Sequence, residues 1–383
     1  MKNPTIKVDR ELFYSKIKNA VKFIPGKVII PVMDHFMLSV KEGIMEILAT
    51  DGNIQVKLNC QVKASEDFAF CVPAKYLVKI IGLFRENEVV FTMKKENLLE
   101  IKSGKSKYNV TLDAFPNDFP VTLMKNIDSE IAMNQFMLGL GLNQSEKFAD
   151  DENQNANYTA ININEINNKI IFTSLDGYVV ARAAIKPISI SKWTPISIPT
   201  VTAKKVASLL NDNGEIGVTH GDGKIMFFTN KASVDFFEIT SVLSDIKFPD
   251  SEKLIARRPT NMIGINTLEL NDATKRLKLS AMEGVEPIIA ISNAANPHEF
   301  ILTCSDALTG KDGEEIMTVV NPTGLAFAKN FSGNTLTKVL SSIDQSEIDF
   351  YFSDQNNVPS FIIPKVTNEE QDIFMFLVSS CIV

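Results

Sequence analysis

The feature that most constrains this chain is a short phrase that occurs three times. Two copies of it are ATDGNIQ at residues 49–55 and LDGYVVA at residues 175–181. In each, an aspartate and a tight turn connect two strand-like runs. A looser version surrounds Asp306 in ILTCSDALTGKDGEEIM. Self-similarity at a fixed period is the signature of a repeated architecture. The chain is therefore expected to consist of three like domains in tandem.

Two helical segments accompany each phrase, one before it and one after it. Equivalent positions lie 125 to 132 residues apart. Apolar residues in these segments recur near helical spacing, and the stretches between them read as strands broken by Asn, Gly and Lys. We predict an α+β fold in which two helices of each domain pack on antiparallel sheet. The predicted domains are 1–125, 126–257 and 258–383, and the helical segments are 8–23, 72–84, 133–148, 198–210, 265–280 and 330–343.

Composition and motifs exclude several classes of function. The chain has 383 residues, 45% hydrophobic and 22% charged, as an ordinary globular protein does. It has no apolar run of the ~18 residues that a membrane span needs and no apolar signal core, and its four cysteines form no CxxC pair. We therefore expect a cytoplasmic protein. Phosphate-loop and calcium-loop patterns are incomplete, and the repeated aspartate indicates a structural turn. We predict no catalytic activity, metal or cofactor.

Charge is unevenly distributed along the chain. The net charge is −7, yet six helical windows together carry +10 and the remaining residues carry −17; the windows are 9–24, 73–84, 133–148, 200–211, 270–280 and 329–343. Solvated helix faces commonly carry lysine, but a positive helical surface on an acidic protein also suits weak phosphate binding without readout of sequence. The lysines and arginine of this predicted surface are Lys16, Lys18, Lys22, Lys75, Lys79, Lys204, Lys205, Lys275, Arg276, Lys278, Lys329 and Lys338.

With VPAKYL (72–77), DAFPNDFP (113–120), KFPD (247–250) and LSAMEG (279–284), the repeated phrases resemble the bacterial DNA sliding clamp family, the beta subunit of DNA polymerase III. The resemblance spans essentially the whole chain. It implies three clamp-type domains per subunit and a head-to-tail dimeric ring with helices on its inner wall. The implied function is a processivity factor that encircles duplex DNA and tethers the replicative polymerase. The alternative is a clamp-like tandem-domain scaffold or binding protein that does not encircle DNA.

The resemblance also implies residues that face DNA. Lys27 and Lys75 match basic positions of the family. The family's basic residue after proline in the second domain is absent here, and Lys204 and Lys205 follow one helical turn later as replacements. Gln154 lies in a loop where the family presents polar residues, although the acidic residues beside it would repel phosphate.

A second implied site is an apolar cleft that takes short peptides of the DNA polymerase III alpha subunit and of the clamp loader. The usual His-Arg after Asp-Gly is Tyr178-Val179 here, and the Met-Pro-rich chain end is replaced, so the peptide preference of this cleft differs. Ordinary core packing is an equal alternative for Val180 and Leu254. The predicted cleft residues are Leu175, Gly177, Tyr178, Val180, Pro249, Leu254, Val378 and Ser379.

The implied subunit contact involves an edge strand of the first domain. We expect the strand around Tyr108 to pair with the third domain of the other subunit near Leu277 and Leu279. A heterologous contact that closes after two subunits gives a discrete homodimer rather than a filament.

Overall fold

The computed structural model describes residues 3–27, 30–150, 152–306, 308–320, 328–355, 357–365 and 374–379. Within these ranges the chain is built from antiparallel strands and a few short helices, which confirms the predicted α+β class. No helix in the described ranges is long and apolar enough to cross a membrane.

Six of the helices fall on the six segments predicted from the repeats. Polar residues cap their first turns: Asp9 Oδ1 accepts the N–H of Leu12 at 2.9 Å, and Asn266 Oδ1 accepts the N–H of Glu269 at 3.0 Å. A seventh, single-turn helix was not predicted. The α-helices of the described ranges are α1 (Arg10–Ala20), α2 (Ala74–Leu83), α3 (Gln135–Glu146), α4 (Thr200–Ala207), α5 (Glu252–Ile255), α6 (Thr267–Leu277) and α7 (Gly333–Leu340).

The strands are mostly five to eight residues long and alternate buried with exposed side chains. In chain order they are β1 (Thr5–Asp9), β2 (His35–Lys41), β3 (Ile44–Thr50), β4 (Ile54–Gln61), β5 (Lys63–Ala64), β6 (Phe68–Pro73), β7 (Glu88–Lys95), β8 (Leu98–Ser103), β9 (Ser106–Thr111), β10 (Ser129–Asn134), β11 (Ala160–Ile166), β12 (Lys169–Leu175), β13 (Val179–Ile185), β14 (Ser189–Lys192), β15 (Ile196–Pro199), β16 (Glu215–Gly221), β17 (Lys224–Phe228), β18 (Phe237–Val242), β19 (Asn261–Asn266), β20 (Ile288–Asn293), β21 (Glu299–Asp306), β22 (Lys311–Thr318), β23 (Ala328–Ser332), β24 (Glu347–Phe352), β25 (Ser360–Pro364) and β26 (Phe374–Val378).

The chain divides into two compact units, each with one small and one large sheet. The first unit contains residues 1–139, 187–194 and 201–243, with sheets ordered β5-β1-β7-β8-β9 and β14-β10-β16-β17-β18-β4-β3-β2-β6. The second unit contains residues 140–186, 195–200 and 244–383, with sheets ordered β15-β11-β12-β13-β26-β25-β24-β19 and β22-β21-β20-β23.

Each large sheet joins strands from two of the predicted repeats. In the first unit β18 pairs with β4, with Ile239 opposite Val56. In the second unit β26 pairs with β13, with Leu377 opposite Val180. The strands of the predicted second domain are thus shared between the two large sheets, and the boundaries at 125 and 257 stay a prediction from the repeated sequence.

Helices cover the sheets of each unit and enclose its core. In the first unit α1 packs against α2, and Phe13 of α1 meets Phe91 of β7 edge-on with ring centroids 5.5 Å apart. In the second unit α6 packs against α7 over a core that includes Phe148, Phe331 and Phe350. Burial of aromatic side chains of this size supplies most of the stabilisation of such cores.

Candidate functional site

A cleft of about 320 Å³ opens on the second unit beside the repeated turn of Asp176. Its wall is mostly apolar, with a few hydroxyl and amide groups, as expected of a recognition site for a short peptide or small ligand. The lining residues are Tyr158, Leu175, Gly177, Tyr178, Val179, Val180, Leu254, Asn357, Pro359, Leu377 and Ser379.

The turn between β12 and β13 forms one wall. Asp176 Oδ1 accepts the N–H groups of Tyr178 at 3.1 Å and Val179 at 2.9 Å, which closes the turn. Gly177 has φ +94°, and a Cβ at this position would lie 3.2 Å from the hydroxyl of Tyr158. Only glycine therefore lets the turn approach the Tyr158 ring so closely.

The short helix α5 forms a second wall. Arg182 on β13 lies 3.2 Å from Glu252 Oε1, and the side chain of Arg182 is 15% exposed. This ion pair fixes the first residue of α5 against the sheet. The helix in turn carries Leu254, which is 39% exposed, to the rim of the cleft.

The end of the described chain and a loop before it form the remaining wall. Ser379 donates its N–H to the carbonyl oxygen of Tyr178 at 2.9 Å, so the turn and β26 are tied together. Asn357 and Pro359 come from the loop after β24. The buried ammonium of Lys329 donates to the carbonyl oxygen of Val358 in that loop.

Six of the eight predicted cleft residues line the cleft, and two do not. Val378 is fully buried in the core, because strand side chains alternate and its neighbour Leu377 faces the cleft instead. Pro249 is exposed and is not a lining residue. Five of the lining residues were not predicted from the sequence: Tyr158, Val179, Asn357, Pro359 and Leu377. Only Leu377 had a signal in the sequence, because side chains alternate between the two faces of a strand such as β26.

The side chains of the cleft are suited to binding an apolar ligand or peptide side chain. The nearest carboxylates are already engaged: Asp176 by the turn and by Lys338 Nζ at 2.8 Å, and Glu252 by Arg182. No cluster of three or more His, Cys, Asp or Glu side chains able to hold a metal occurs among the described residues. What the cleft offers is apolar surface with a few hydrogen-bonding groups at its edge.

The residues predicted to face DNA differ in their surroundings. Lys27, Lys204 and Gln154 are exposed. Lys75 is half-exposed, with Nζ 3.6 Å from Asp34. Lys205 is different, because its Nζ lies 2.7 Å from Asp51 Oδ2. These assignments stay predictions.

Not every helix-region lysine belongs to a positive surface. Lys16 is 6% exposed and donates to the carbonyl oxygen of Val234, and Lys329 is 3% exposed. These two lysines bind carbonyl oxygens within the fold, so the positive helical surface is smaller than the sequence count predicts.

The residues predicted at a subunit contact are also unequal. Tyr108, on the outermost strand β9 of its sheet, is 44% exposed, and Leu279 is 77% exposed. Leu277 is only 2% exposed because it is the last residue of α6 and packs into the core of the second unit. Its side chain is therefore not available at a surface.

Comparison with known proteins identifies the architecture. Residues 5–123 match the family described as DNA polymerase III beta subunit, N-terminal domain. The beta sliding clamp of Staphylococcus aureus is 21% identical over 355 residues, covering 90% of this chain and 92% of that protein. A solved structure of a sliding clamp from Pseudomonas aeruginosa bound to griselimycin is similar with TM-score 0.89, at 18% identity and covering 100% of both chains. The sliding clamp of Bacillus subtilis gives a TM-score of 0.87 at 17% identity, also covering 100% of both chains.

The fold, matched along the full chain, is that of the DNA sliding clamps. Within this class, residues 5–123 match the DNA polymerase III beta subunit family, and 90% of the chain is similar to a beta sliding clamp at 21% identity. The resemblance seen in the repeated phrases is thereby confirmed.

Proposed function

We propose that this protein is a DNA sliding clamp, a ring-shaped processivity factor that encircles duplex DNA. The observation that carries the proposal is the full-length match to the sliding-clamp fold, supported by sequence similarity to beta sliding clamps over 90% of the chain. Two copies arranged head to tail would close the ring. Nothing in the described residues favours the alternative of a scaffold that never encircles DNA.

The ring would hold DNA by topology rather than by affinity. The exposed lysines Lys27, Lys75 and Lys204 would attract phosphates through screened, sequence-independent interactions. Strong directional contacts would stop the ring from sliding. A net charge of −7 suits this role, because it keeps the overall attraction to DNA weak.

The cleft would tether the partners. A short peptide from the polymerase or the clamp loader would place an apolar side chain between Val180 and Leu254, with hydrogen bonds from Tyr178 and Ser379 at the rim. Binding energy in such sites concentrates in a few buried anchors. We propose that the protein works in this way as a non-catalytic replication factor of the cytoplasm.

The test compares retention on circular and linear DNA. The protein is loaded by a competent clamp loader onto a nicked circle, which is then either left intact or cut once. We expect retention for minutes on the circle at moderate salt and loss within seconds after cutting, since the ring slides off an end. The control is Tyr108→Asp, which places a charge at the predicted subunit contact and should load poorly on either DNA. Equal loss of the unmodified protein from both DNAs would show that its binding is not topological.

A further inference from the structure

The three repeated aspartates share one pattern of side-chain hydrogen bonds, although the backbone bond that closes the turn runs from Asp51 to Ile54 and from Asp176 to Val179 but from Gly310 to Asp306 in the third repeat. In each, Oδ1 accepts backbone N–H groups two and three residues later. The acceptor–donor distances are 3.0 and 2.9 Å for Asp51, 3.1 and 2.9 Å for Asp176, and 2.8 and 3.3 Å for Asp306. The second oxygen of each carboxylate is therefore left to other partners.

In the first two repeats this oxygen accepts from a lysine of the next repeat. Lys205 Nζ lies 2.7 Å from Asp51 Oδ2, and Lys338 Nζ lies 2.8 Å from Asp176 Oδ2. Each lysine is the sixth residue of its helix, α4 and α7. Each pair is contained within one compact unit.

An aromatic ring supports each of these lysines. Lys205 Nζ lies 5.3 Å from the ring centroid of Phe23, and Lys338 Nζ lies 5.0 Å from that of Phe148. These distances are within the range of a cation–π contact. Aspartate, lysine and phenylalanine thus form the same three-part contact in both units, which we call the lysine junction.

The third aspartate lacks its lysine. Asp306 Oδ2 is buried and has no hydrogen-bond partner among the described residues. The N–H of Leu308 lowers the pKa of this carboxyl below its ordinary value, with smaller contributions from Thr309 and the Met282 backbone, so the group is ionised at neutral pH. A buried carboxylate oxygen without a partner is costly, which indicates that a donor is missing.

The corresponding lysine also lacks its aspartate. Lys79 is the sixth residue of α2, the helix equivalent to α4 and α7. It is exposed and makes no ion pair or hydrogen bond within the part of the chain that the structure describes. One carboxylate and one ammonium, at equivalent repeat positions, are therefore unmatched in the same chain.

We propose that Lys79 of one copy binds the Asp306 carboxylate of a second copy after that side chain rotates to expose Oδ2, which completes a lysine junction at each contact of a head-to-tail dimer. This inference rests on the ring proposed above and identifies a pair of residues that holds it closed. The aromatic part is absent, because Ser280 occupies the position equivalent to Phe23 and Phe148, fourteen residues after the helix cap. The junction between copies is then an ion pair without its ring.

The surfaces around the two residues are suited to such a contact. On α2, Tyr76 and Leu83 lie three residues before and four residues after Lys79, on the same helix face, and are 41% and 82% exposed. Near Asp306, Leu308 and Leu279 are 85% and 77% exposed. Large apolar side chains this exposed indicate a surface that is covered in an assembly.

Free sheet edges provide a further match. β9 is the outermost strand of the five-stranded sheet, and β22 is the outermost strand of the four-stranded sheet. β9 carries Lys107, whose Nζ also lies 2.7 Å from Glu100 Oε2 on β8, whereas β22 carries one lysine, Lys311, and three carboxylates, Asp312, Glu314 and Glu315. Opposite charges on two open edges favour pairing between copies over pairing of like edges.

The test uses charge reversal at each position, with dimerisation measured by sedimentation equilibrium on the full chain. Lys79→Asp and Asp306→Lys should each weaken dimerisation by roughly tenfold or more, because both contacts of a homodimer then hold like charges. Mixing the two variants should give a dimer clearly tighter than that of either variant alone, since one contact is native and the other has the reversed pair.

Controls separate the pair from general effects of charge and folding. Lys186→Asp and Asp212→Lys reverse exposed charges elsewhere and should leave the dimer unchanged. Asp306→Asn keeps an oxygen for the turn amides and should weaken the dimer while circular dichroism shows an intact fold. If Lys79→Asp, Asp306→Lys and Asp306→Asn all dimerise as tightly as the wild type, the ion pair is overturned and the ring still stands. A wild-type protein that is monomeric at tens of micromolar would overturn the ring together with the pair.

Discussion

Lys329 Nζ lies 2.6 Å from the carbonyl oxygen of Val358, in a side chain that is only 3% exposed. A second bond, 2.9 Å long, goes to the carbonyl oxygen of Gln355. The lysine therefore fixes the loop that supplies Asn357 and Pro359 to the cleft. A residue that its charge alone would assign to DNA instead shapes the wall of the cleft.

Replacing this lysine should loosen the cleft. Lys329→Met keeps the buried stem but leaves two carbonyl oxygens without donors, so unfolding free energy should fall by about 1–3 kcal/mol. We expect faster amide exchange at residues 353–355, 357 and 358 and weaker peptide binding. Lys186→Met, at an exposed lysine, is the matched control. Unaltered exchange and stability in Lys329→Met would contradict the role given to these bonds.

Charges in the cleft should abolish peptide binding. Val180→Asp with Leu254→Asp places two carboxylates where an apolar anchor would sit, so affinity for a polymerase-tail peptide should fall by at least about a hundredfold. Fluorescence anisotropy of a labelled peptide measures the loss. Leu123→Asp, at a leucine that is 60% exposed in the first unit, should bind normally. Unchanged peptide affinity in the double variant would show that the peptide binds outside this cleft.

Removing exposed lysines should weaken binding to short linear duplex. Lys27→Glu with Lys75→Glu should reduce affinity by roughly tenfold and lower the slope of affinity against salt by about two, because each lysine releases about one counterion. Affinity should be indifferent to sequence both before and after the change. Dimerisation should be unaffected. An unchanged salt slope would exclude both lysines from the DNA-facing surface.

His220 should make the first unit less stable in mild acid. Its ring lies 4.7 Å from that of Trp193, edge-on. Burial lowers its pKa below the ordinary 6.5, although a hydrogen bond with the Thr194 backbone and the charge of Asp128 act in the opposite direction. The folded state then favours the neutral ring, so this contribution is fully present above pH 6.5 and is lost as the pH falls through that value to the lower folded pKa.

Comparison of unfolding curves at pH 8 and pH 5 measures this effect. We expect the unfolding free energy of the wild type to fall more between these pH values than that of His220→Gln, which cannot titrate. Trp193 is the sole tryptophan, so its fluorescence reports protonation of the neighbouring ring directly. Parallel pH dependence in the two proteins would mean that His220 is not the titrating group.

Local patterns in the sequence were sufficient to predict the helices and the repeated turns. Asp9 and Asn266 are helix caps, and the apolar spacing after them determines which face is buried. The aspartate of the phrase closes its turn in all three places. These features depend on residues within a few positions of one another, which is the range that periodicity and capping describe.

Contacts between distant segments were beyond such patterns. The pairing of β18 with β4 joins residues near 239 and 56, and no local feature of either strand indicates which strand it pairs with. Leu377 and Val378 differ by one residue, yet one faces the cleft and the other the core, because register decides the face. A lysine that binds buried carbonyls, such as Lys329, has the same sequence signal as one on a solvated helix.

The ladder between β18 and β4 has a consequence for how the chain folds and for how it may be divided. A fragment that ends at residue 125 would retain β4 but lose the strand that covers its edge, leaving a row of open backbone groups prone to aggregation. Val56 of β4 and Ile239 of β18 are some 180 residues apart in sequence, so this edge of β4 stays uncovered during synthesis until that much more of the chain has been made. We therefore expect the compact unit, rather than a single repeat, to be the smallest piece that folds cooperatively.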